Sequence, residues 1–400
     1  MMSSNCLLQI EQRGRRQEIS GCPQLTAERL ISLLTGHADR IGTLTESEWE
    51  RLIAFARKSG VAQVLFTYLK SQNIFPPPAV AETIREIHLA SVVRNTKLFH
   101  ELGKILRAFQ TVGITAVPLK GAWLAEAAYR NIALRGMGDV DLWVQRDQLD
   151  AARKIMVSLG YSSRSKADRP QALQDALAGE TQMFKTGAPM VELHWNVFPG
   201  EWLRHTALID EQVIWQRTIP HQGENVRQLS PEDAIIHVCI HLAVNHQMSM
   251  PGLRTLLDLD CTRQRLNIDW GSLAKRAHEW RVSTATWLVL QMLAELFGDS
   301  ARKLPLRELR PSPLRCWVLG RFVSPRNLTE GIKISSGPKR FLFLLALVDH
   351  PADALYLIWR ALVPDRTWLS LRYGLADAPA WRIWLQRLWH PLRIAWQRKI

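Results

Sequence analysis

One short stretch, Asp139 to Val144, constrains the fold of this sequence more than any other. It reads Asp-Val-Asp-Leu-Trp-Val. Alternate side chains of a β-strand share a face, so Asp139 and Asp141 would lie on one side and Val140 and Leu142 on the other. Two carboxylates on one face repel each other unless a cation lies between them. The stretch therefore predicts a strand that is buried on one face and presents either a metal site or a solvated acidic pair on the other.

Short apolar runs and helical patterns alternate around this strand. A buried apolar run precedes it, and two strand-like runs on either side of Gly-Ala-Pro predict a β-hairpin after it. Such alternation is typical of a small α/β or α+β unit. The predicted elements are strand 114–119, helix 121–129, strand 139–144, helix 147–159 and the hairpin strands 181–185 and 190–195.

Helical patterns fill the rest of the chain. Thr45 and Glu48 have the spacing of a capping box, and Ser230 precedes a proline at the start of another predicted helix. We therefore predict an α+β fold, in which a small core of strands and helices is flanked by helical N-terminal and C-terminal modules. The predicted units are a flexible arm (1–24), a helical module (25–113), an α/β core (114–229), a second helical module (230–338) and a basic Trp- and Arg-rich segment (339–400).

The positive charge is concentrated at the C-terminal end. The 400 residues carry a net charge of +14, yet residues 301–400 alone contain 18 basic and 6 acidic side chains. Such an excess favours phosphate-bearing partners, either nucleic acid or an anionic membrane surface. The alternative is a solvated cationic face without a partner. A hydrophobic content of 47% excludes a disordered protein.

The last predicted helix, residues 381–398, is amphipathic. We expect its apolar arc to pack on the protein rather than on a membrane, because Ile383 and Ile394 fall on the polar side. The apolar arc contains Trp381, Trp384, Leu385, Leu388, Leu392, Ala395 and Trp396, with Arg382, Arg387, Arg393 and Arg398 on the other side.

Nothing in the sequence indicates export or membrane insertion. Residues 1–24 lack an apolar targeting core, and the longest apolar run, Phe341 to Val348, is far shorter than the roughly 20 residues that span a bilayer. The five cysteines are widely spaced and contain no Cys-x-x-Cys pair. We therefore expect reduced thiols and a cytoplasmic location.

Three further residues would complete a site around the aspartates. Glu192, flanked by apolar residues in the second hairpin strand, is the expected third carboxylate, although a strand-edge charge is the alternative. Lys120 and Gly121 stand at a strand-to-helix junction, where backbone N–H groups and a cation can bind phosphates. Lys120 would otherwise pair with Asp139. Carboxylates on rigid strands suit the metal ions of nucleotidyl transfer.

These motifs resemble the family of uncharacterised nucleotidyltransferases within the DNA polymerase β-like superfamily. The resemblance rests on Leu119-Lys120-Gly121, Arg135, Gly138 to Val144 and Val191 to Trp195. It implies a small mixed-sheet nucleotidyltransferase core with helices on one side of the sheet. It also implies Asp139, Asp141 and Glu192 as catalytic ligands of Mg²⁺ or Mn²⁺, and Lys120, Gly121 and Arg135 as nucleotide-binding residues. Arg135 would otherwise lock its loop. The sequence departs from the superfamily in having Gly121-Ala122 where a second glycine or a serine is usual, and in a long spacer before Gly138.

The implied function is metal-dependent transfer of a nucleoside monophosphate from a nucleoside triphosphate to an unidentified acceptor, with release of pyrophosphate. The alternative is a non-catalytic protein that binds a nucleotide, a nucleic acid or a membrane surface on the same fold. The basic segment and the missing second loop residue motivate this alternative.

Two groups of residues are expected to be structural. Asp258-Leu259-Asp260 repeats the Asp-x-Asp spelling, but its neighbours have helical spacing, so its carboxylates would point about 200° apart. His237 and His241 share a helix face, with His246 nearby. Without an acidic partner in the pattern of a zinc motif, we expect these three to be packed or hydrogen-bonded histidines.

Overall fold

The computed structural model describes residues 23–37, 43–164, 173, 177–221, 225–249, 252–298, 303–330, 332–334, 337–375 and 378–397. The side chains of residues 23, 24, 164, 330 and 391–397 are outside that description. Most of the predicted N-terminal arm also lies outside the described residues.

A five-stranded mixed sheet forms the centre of the molecule, in the order β1-β2-β5-β4-β3. The two inner strands β2 and β5 run parallel, and each of the other neighbouring pairs is antiparallel. A separate two-stranded ladder, β6 and β7, lies beside β1. The strands are β1 (Ala116–Pro118), β2 (Asp139–Val144), β3 (Ser162–Arg164), β4 (Glu180–Phe184), β5 (Met190–His194), β6 (Ile219–Pro220) and β7 (Arg227–Gln228).

Helices account for most of the remaining described chain. A π-helical turn, His241–Asn245, directly follows α9. The helices are α1 (Pro23–Leu34), α2 (Glu46–Lys58), α3 (Ala62–Ser71), α4 (Pro78–Gln110), α5 (Lys120–Ala127), α6 (Leu149–Ser158), α7 (Glu201–Thr206), α8 (Glu211–Arg217), α9 (Pro231–Ile240), α10 (Gly252–Arg265), α11 (Trp270–Glu279), α12 (Ser283–Phe297), α13 (Leu306–Leu309), α14 (Pro313–Gly320), α15 (Pro325–Glu330), α16 (Gly337–Ala346), α17 (Pro351–Leu362), α18 (Arg366–Tyr373) and α19 (Ala380–Gln397).

The sheet separates two hydrophobic cores. Val140, Leu142 and Val144 of β2 share one core with Val191 and Leu193 of β5, against α4 and α6. The second core joins the N-terminal helices to the helices that follow the sheet, and it includes Trp143 from the opposite face of β2. Because successive side chains of β2 alternate between faces, the aspartates lie on the side turned away from α4 and α6.

The predicted α+β fold is confirmed, and β2 has the predicted bounds. The hairpin is confirmed as β4 and β5. Thr45 and Glu48 form the expected capping box, and Ser230 caps α9. The short strand β3 and the ladder β6–β7 were not predicted, since each has only two or three residues and no alternating pattern. Among the described helices, none is both long and apolar enough to cross a bilayer.

The expected packing of the last helix is wrong for the residues whose side chains are described. Ile383 is 3% exposed and His390 is also buried, whereas Trp381 is 64% exposed and Leu388 is 53% exposed. Ile383, which we placed on the polar side, therefore anchors α19 together with His390, and the described part of the apolar arc faces outward. Helical periodicity defines an arc but not its direction, which depends on the surface that the helix meets.

Candidate functional site

Strands β2 and β5 bring the predicted carboxylates opposite one another. In their parallel ladder, Asp141 is the partner of Glu192, and Trp143 is the partner of His194. Asp139 precedes Asp141 by two residues on the same strand and therefore shares its face. The apolar neighbours on both strands are buried in the core beneath, which fixes the register and the direction of the acidic face.

Lys120 approaches these carboxylates from the first turn of α5. Its Nζ lies 2.6 Å from Asp141 Oδ1 and 3.9 Å from Glu192 Oε2. Burial alone would lower the pKa of Lys120, but the two carboxylates outweigh burial and raise it. The residue has a φ of +41°, a left-handed conformation that costs energy for a residue with a Cβ. Lys120 therefore combines a strained backbone conformation with an ammonium group that lies between Asp141 and Glu192.

His194 is the second partner of Asp141. It is fully buried, with Nε2 3.0 Å from Asp141 Oδ1 and Nδ1 3.7 Å from Glu180 Oε2. Burial alone would raise the pKa of Asp141, yet Lys120 and His194 hold that pKa well below its ordinary value. Asp141 is therefore ionised at neutral pH. His194 lies two residues after Glu192 on β5 and therefore shares its face.

Asp139 and Glu192 have the opposite electrostatic behaviour. Burial, followed by repulsion from Asp141, raises the pKa of both carboxyl groups. Gln182 Nε2 donates to Glu192 Oε1 over 2.8 Å and orients it. A cation bound between these groups would favour their ionised forms, because opposite charge offsets both burial and mutual repulsion.

Part of this cluster has the spacing of a metal site. Asp141, Glu192 and His194 offer ligand atoms that all lie within 4.8 Å of one another. The carboxylate oxygens suit Mg²⁺ or Mn²⁺, which prefer oxygen ligands. Since His194 already contacts Asp141, it also fits the role of a histidine that orients a ligating carboxylate. Lys120 contacts the same carboxylates that an ion would need.

Arg135 is bound away from the carboxylates. Its Nε and Nη2 donate to Asp258 Oδ1 and Oδ2 at 3.0 Å each, and the Tyr129 hydroxyl donates to Asp258 Oδ1 over 2.9 Å. Asn95 Nδ2 donates to the Arg135 carbonyl over 2.7 Å. This buried ion pair fastens the loop before β2 to α10. Direct contact of Arg135 with a nucleotide stays a prediction.

Gly121 is required by close packing with the same loop. A Cβ at this position would lie 2.7 Å from Arg135 Nη1 and 3.0 Å from Met137 Sδ. Larger residues would therefore displace the loop. The neighbouring Ala122 is buried in the core beneath the sheet, where a serine hydroxyl would need a hydrogen-bond partner. The departure from a second loop glycine or serine is therefore consistent with the local packing.

All six predicted site residues line one cavity of about 270 Å³: Lys120, Gly121, Arg135, Asp139, Asp141 and Glu192. The opposite wall comes from the helices that follow the sheet, through His241, His246 and Arg254. Residues that are far apart in the sequence, from Lys120 to Arg254, thus line one cavity. Burial, and then Lys120, lower the pKa of His241 and His246, so both rings are neutral at physiological pH.

The sequence did not reveal this second wall. Of the three histidines expected to be structural, His237 is indeed buried against Phe198, with ring centroids 5.3 Å apart and a pKa lowered to about 3 by burial. His241 and His246 instead lie in and after the π-helical turn, which redirects side chains relative to a regular helix. The local sequence gives no signal that separates these two histidines from His237.

Comparisons with known proteins identify the family of this chain. No curated protein matches the chain. Among solved structures, the antibiotic-resistance factor ANT(2'')-Ia is 15% identical, with 43% of this chain and 86% of that chain covered at a TM-score of 0.30. At that score no residue role is transferred. Residues 45–298 match the family described as "Uncharacterised nucleotidyltransferase". This match covers more than half of the chain and confirms the resemblance: the protein belongs to that nucleotidyltransferase family.

Proposed function

We propose that the protein is a metal-dependent nucleotidyltransferase that moves a nucleoside monophosphate from a nucleoside triphosphate to an acceptor. The observation that carries this proposal is the pairing of Asp141 and Glu192 on parallel strands, with Asp139 and Lys120 in the same cavity. In this scheme an acceptor hydroxyl attacks the α-phosphorus, the bond to the β-phosphate oxygen breaks, and pyrophosphate leaves.

Asp139, Asp141 and Glu192 would hold Mg²⁺ or Mn²⁺. When bound, such an ion neutralises phosphate oxygens and stabilises the leaving pyrophosphate. Lys120 would turn from Asp141 towards the phosphates, because an ion at Asp141 satisfies that carboxylate. Backbone N–H groups at the start of α5 would add donors for phosphate oxygens. His194 would keep Asp141 ionised and correctly oriented.

His241, His246 and Arg254 form the opposite wall of the cavity. This wall would contact the outer phosphates of the nucleotide and the acceptor. Arg254 adds a cation to the wall opposite the carboxylates, which suits the outer phosphates. His246 is neutral and can accept the proton that the acceptor hydroxyl loses. The acceptor would therefore lie between β2 and the π-helical turn.

The direct test compares the wild-type protein with Asp141→Asn and Asp139→Asn. Mn²⁺ binding is measured by electron paramagnetic resonance, and transfer is measured with a nucleoside triphosphate radiolabelled at the α-phosphate in a cell extract. Both signals should be lost in the variants and kept in Asp260→Asn, which changes an aspartate outside the cavity. Equal Mn²⁺ affinity in all four proteins would contradict the proposal.

A binding protein without turnover is the second candidate. The 2.6 Å contact between Lys120 and Asp141 motivates it, because a lysine in this position neutralises the carboxylate without any ion. In that case nucleotide would bind equally well with and without Mg²⁺, and no labelled acceptor would form. Isothermal titration of nucleotide in the presence of Mg²⁺ or of a chelator distinguishes the two candidates.

A further inference from the structure

Helix α19 has an inverted amphipathic arrangement. Ile383 and His390 hold it against the protein, while the side chains on its opposite face are exposed. At about 100° per residue, the exposed apolar side chains span an arc of roughly 140°. They are Trp381, Trp384, Leu385, Leu388 and Trp389. A helix of a soluble protein ordinarily turns such an arc towards the core.

Helix α17 repeats this arrangement. Leu357 is 8% exposed and faces the protein, whereas Trp359 is 59% exposed and lies on the same outer arc as Leu355 and Leu362. Helix α19 contacts the segment just after α17, because Arg387 Nε donates to the carbonyl of Pro364 over 3.0 Å. Two neighbouring helices thus both present apolar arcs to the outside.

The exposed tryptophans are concentrated in this part of the chain. Among the described residues, each of the five tryptophans with large exposure lies after residue 310: Trp317, Trp359, Trp381, Trp384 and Trp389. Tryptophan is enriched at membrane interfaces, where its ring meets hydrocarbon and its N–H meets the polar headgroups. Exposed apolar clusters of this kind mark interaction sites.

The charge of the segment identifies the partner. Residues 301–400 carry 18 basic and 6 acidic side chains, and Arg366 and Arg382 are exposed beside these helices. A second copy of the chain would bring like charges together, which opposes association. Nucleic acid would use the arginines and aromatic rings, but it offers no hydrocarbon for the four exposed leucines. An anionic bilayer satisfies the leucines, the tryptophans and the arginines together.

We propose that the exposed arcs of α17 and α19 form a surface that binds anionic phospholipid bilayers from one side. This inference does not depend on nucleotidyl transfer. The apolar side chains enter the boundary between headgroups and acyl chains, and the arginines contact lipid phosphates. Attachment of this kind needs no helix that crosses the bilayer.

The test is co-sedimentation of the full-length protein with vesicles of phosphatidylcholine alone or of phosphatidylcholine with phosphatidylglycerol. We expect binding to the anionic vesicles, weakened by added salt because surface charges are screened. The double variants Trp384→Ser/Leu388→Ser and Trp359→Ser/Leu362→Ser should each lower the partition coefficient by about tenfold or more. The control Phe75→Ser/Val157→Ser changes two exposed apolar residues outside this surface and should bind like the wild type.

Charge reversal provides an independent variant. Arg366→Glu/Arg382→Glu leaves the apolar arcs intact and should abolish the preference for anionic vesicles while circular dichroism stays unchanged. Absence of wild-type binding, or equal binding by all variants, would overturn the proposal. Light scattering tests whether this face instead joins two copies of the chain. A wild-type dimer that the serine variants convert to monomers would show this.

The proposal would likewise be overturned if the wild type bound RNA but no vesicles and the serine variants lost the RNA binding.

Discussion

The chain contains two Asp-x-Asp pairs whose surroundings differ. On β2, Asp139 and Asp141 share a face and line the cavity. On α10, Asp258 binds Arg135 and Tyr129, while Asp260 pairs with Arg263 and Gln264. The spelling is the same, but a strand repeats its faces every two residues, whereas two helical residues at this spacing point about 200° apart. A carboxylate pair therefore has meaning only together with the backbone that carries it.

The two pairs are nevertheless coupled. Asp258 holds the guanidinium of Arg135, and Arg135 lies in the loop that leads into Asp139. That loop also packs on Gly121, at the start of the helix that carries Lys120. Asp258 thus holds the approach to the strand pair, and the strand pair lines the cavity. Substitutions at the four aspartates should separate these roles.

The largest effect is expected for Asp141→Asn. Nucleotide transfer should fall by roughly a thousandfold, equivalent to about 4 kcal/mol of transition-state stabilisation, because the ion and Lys120 lose their common carboxylate. The free energy of unfolding, measured in urea, should change far less. The labelled-nucleotide assay gives the rate. Transfer within tenfold of the wild type would place the metal site elsewhere.

The next effect is on stability and comes from Asp258→Ala. Removing this carboxylate leaves the Arg135 guanidinium buried without its counter-charge, which costs about 3 kcal/mol or more. Urea unfolding monitored by circular dichroism measures the loss. The matched control is the double variant Arg135→Met/Asp258→Leu, which removes both charges and should recover most of the stability. A single variant as stable as the wild type would show that the ion pair does not hold the loop.

A smaller effect is expected from pH. The raised pKa values of Asp139 and Glu192 mean that protons compete with a bound ion at a higher pH than for ordinary carboxyl groups. Mn²⁺ affinity should therefore fall as the pH drops from about 7 to about 5, by up to roughly tenfold per pH unit for each proton taken up. Titrations of Glu192→Gln should show a weaker affinity and a shallower slope. An affinity independent of pH would mean that these carboxyl groups do not bind the ion.

Asp260→Asn should have the smallest effect of the series. Asp260 is 2% exposed, and burial raises its pKa in spite of Arg263, so its charge gains little from the ion pair; the asparagine oxygen still accepts from Gln264. The free energy of unfolding should change by about 1 kcal/mol or less, with Mn²⁺ binding and transfer unchanged. A loss of transfer comparable to that of Asp141→Asn would remove the distinction between the two pairs.

Much of the strand side of the cavity was predictable because its signals are local. The alternation of Asp139 to Val144 defined the strand and its acidic face, and the capping pattern at Ser230 defined the start of α9. The placement of Lys120 beside the carboxylates also followed, since a strand-to-helix junction next to β2 has few other positions. Lys120 contacts Asp141 rather than Asp139. The two aspartates are two residues apart on the same face of the strand, so only the packing of the side chains decides between them.

The opposite wall of the cavity and the direction of the last helices were decided by tertiary structure alone. His241, His246 and Arg254 join the site because helices distant in sequence pack across the sheet face. Asp258 acquires its role only through Arg135, which is separated from it by 123 residues. The periodicity of the sequence determined which residues share a face of a helix or strand. Which face meets the core, a ligand or the solvent depends on long-range packing, which no local pattern encodes.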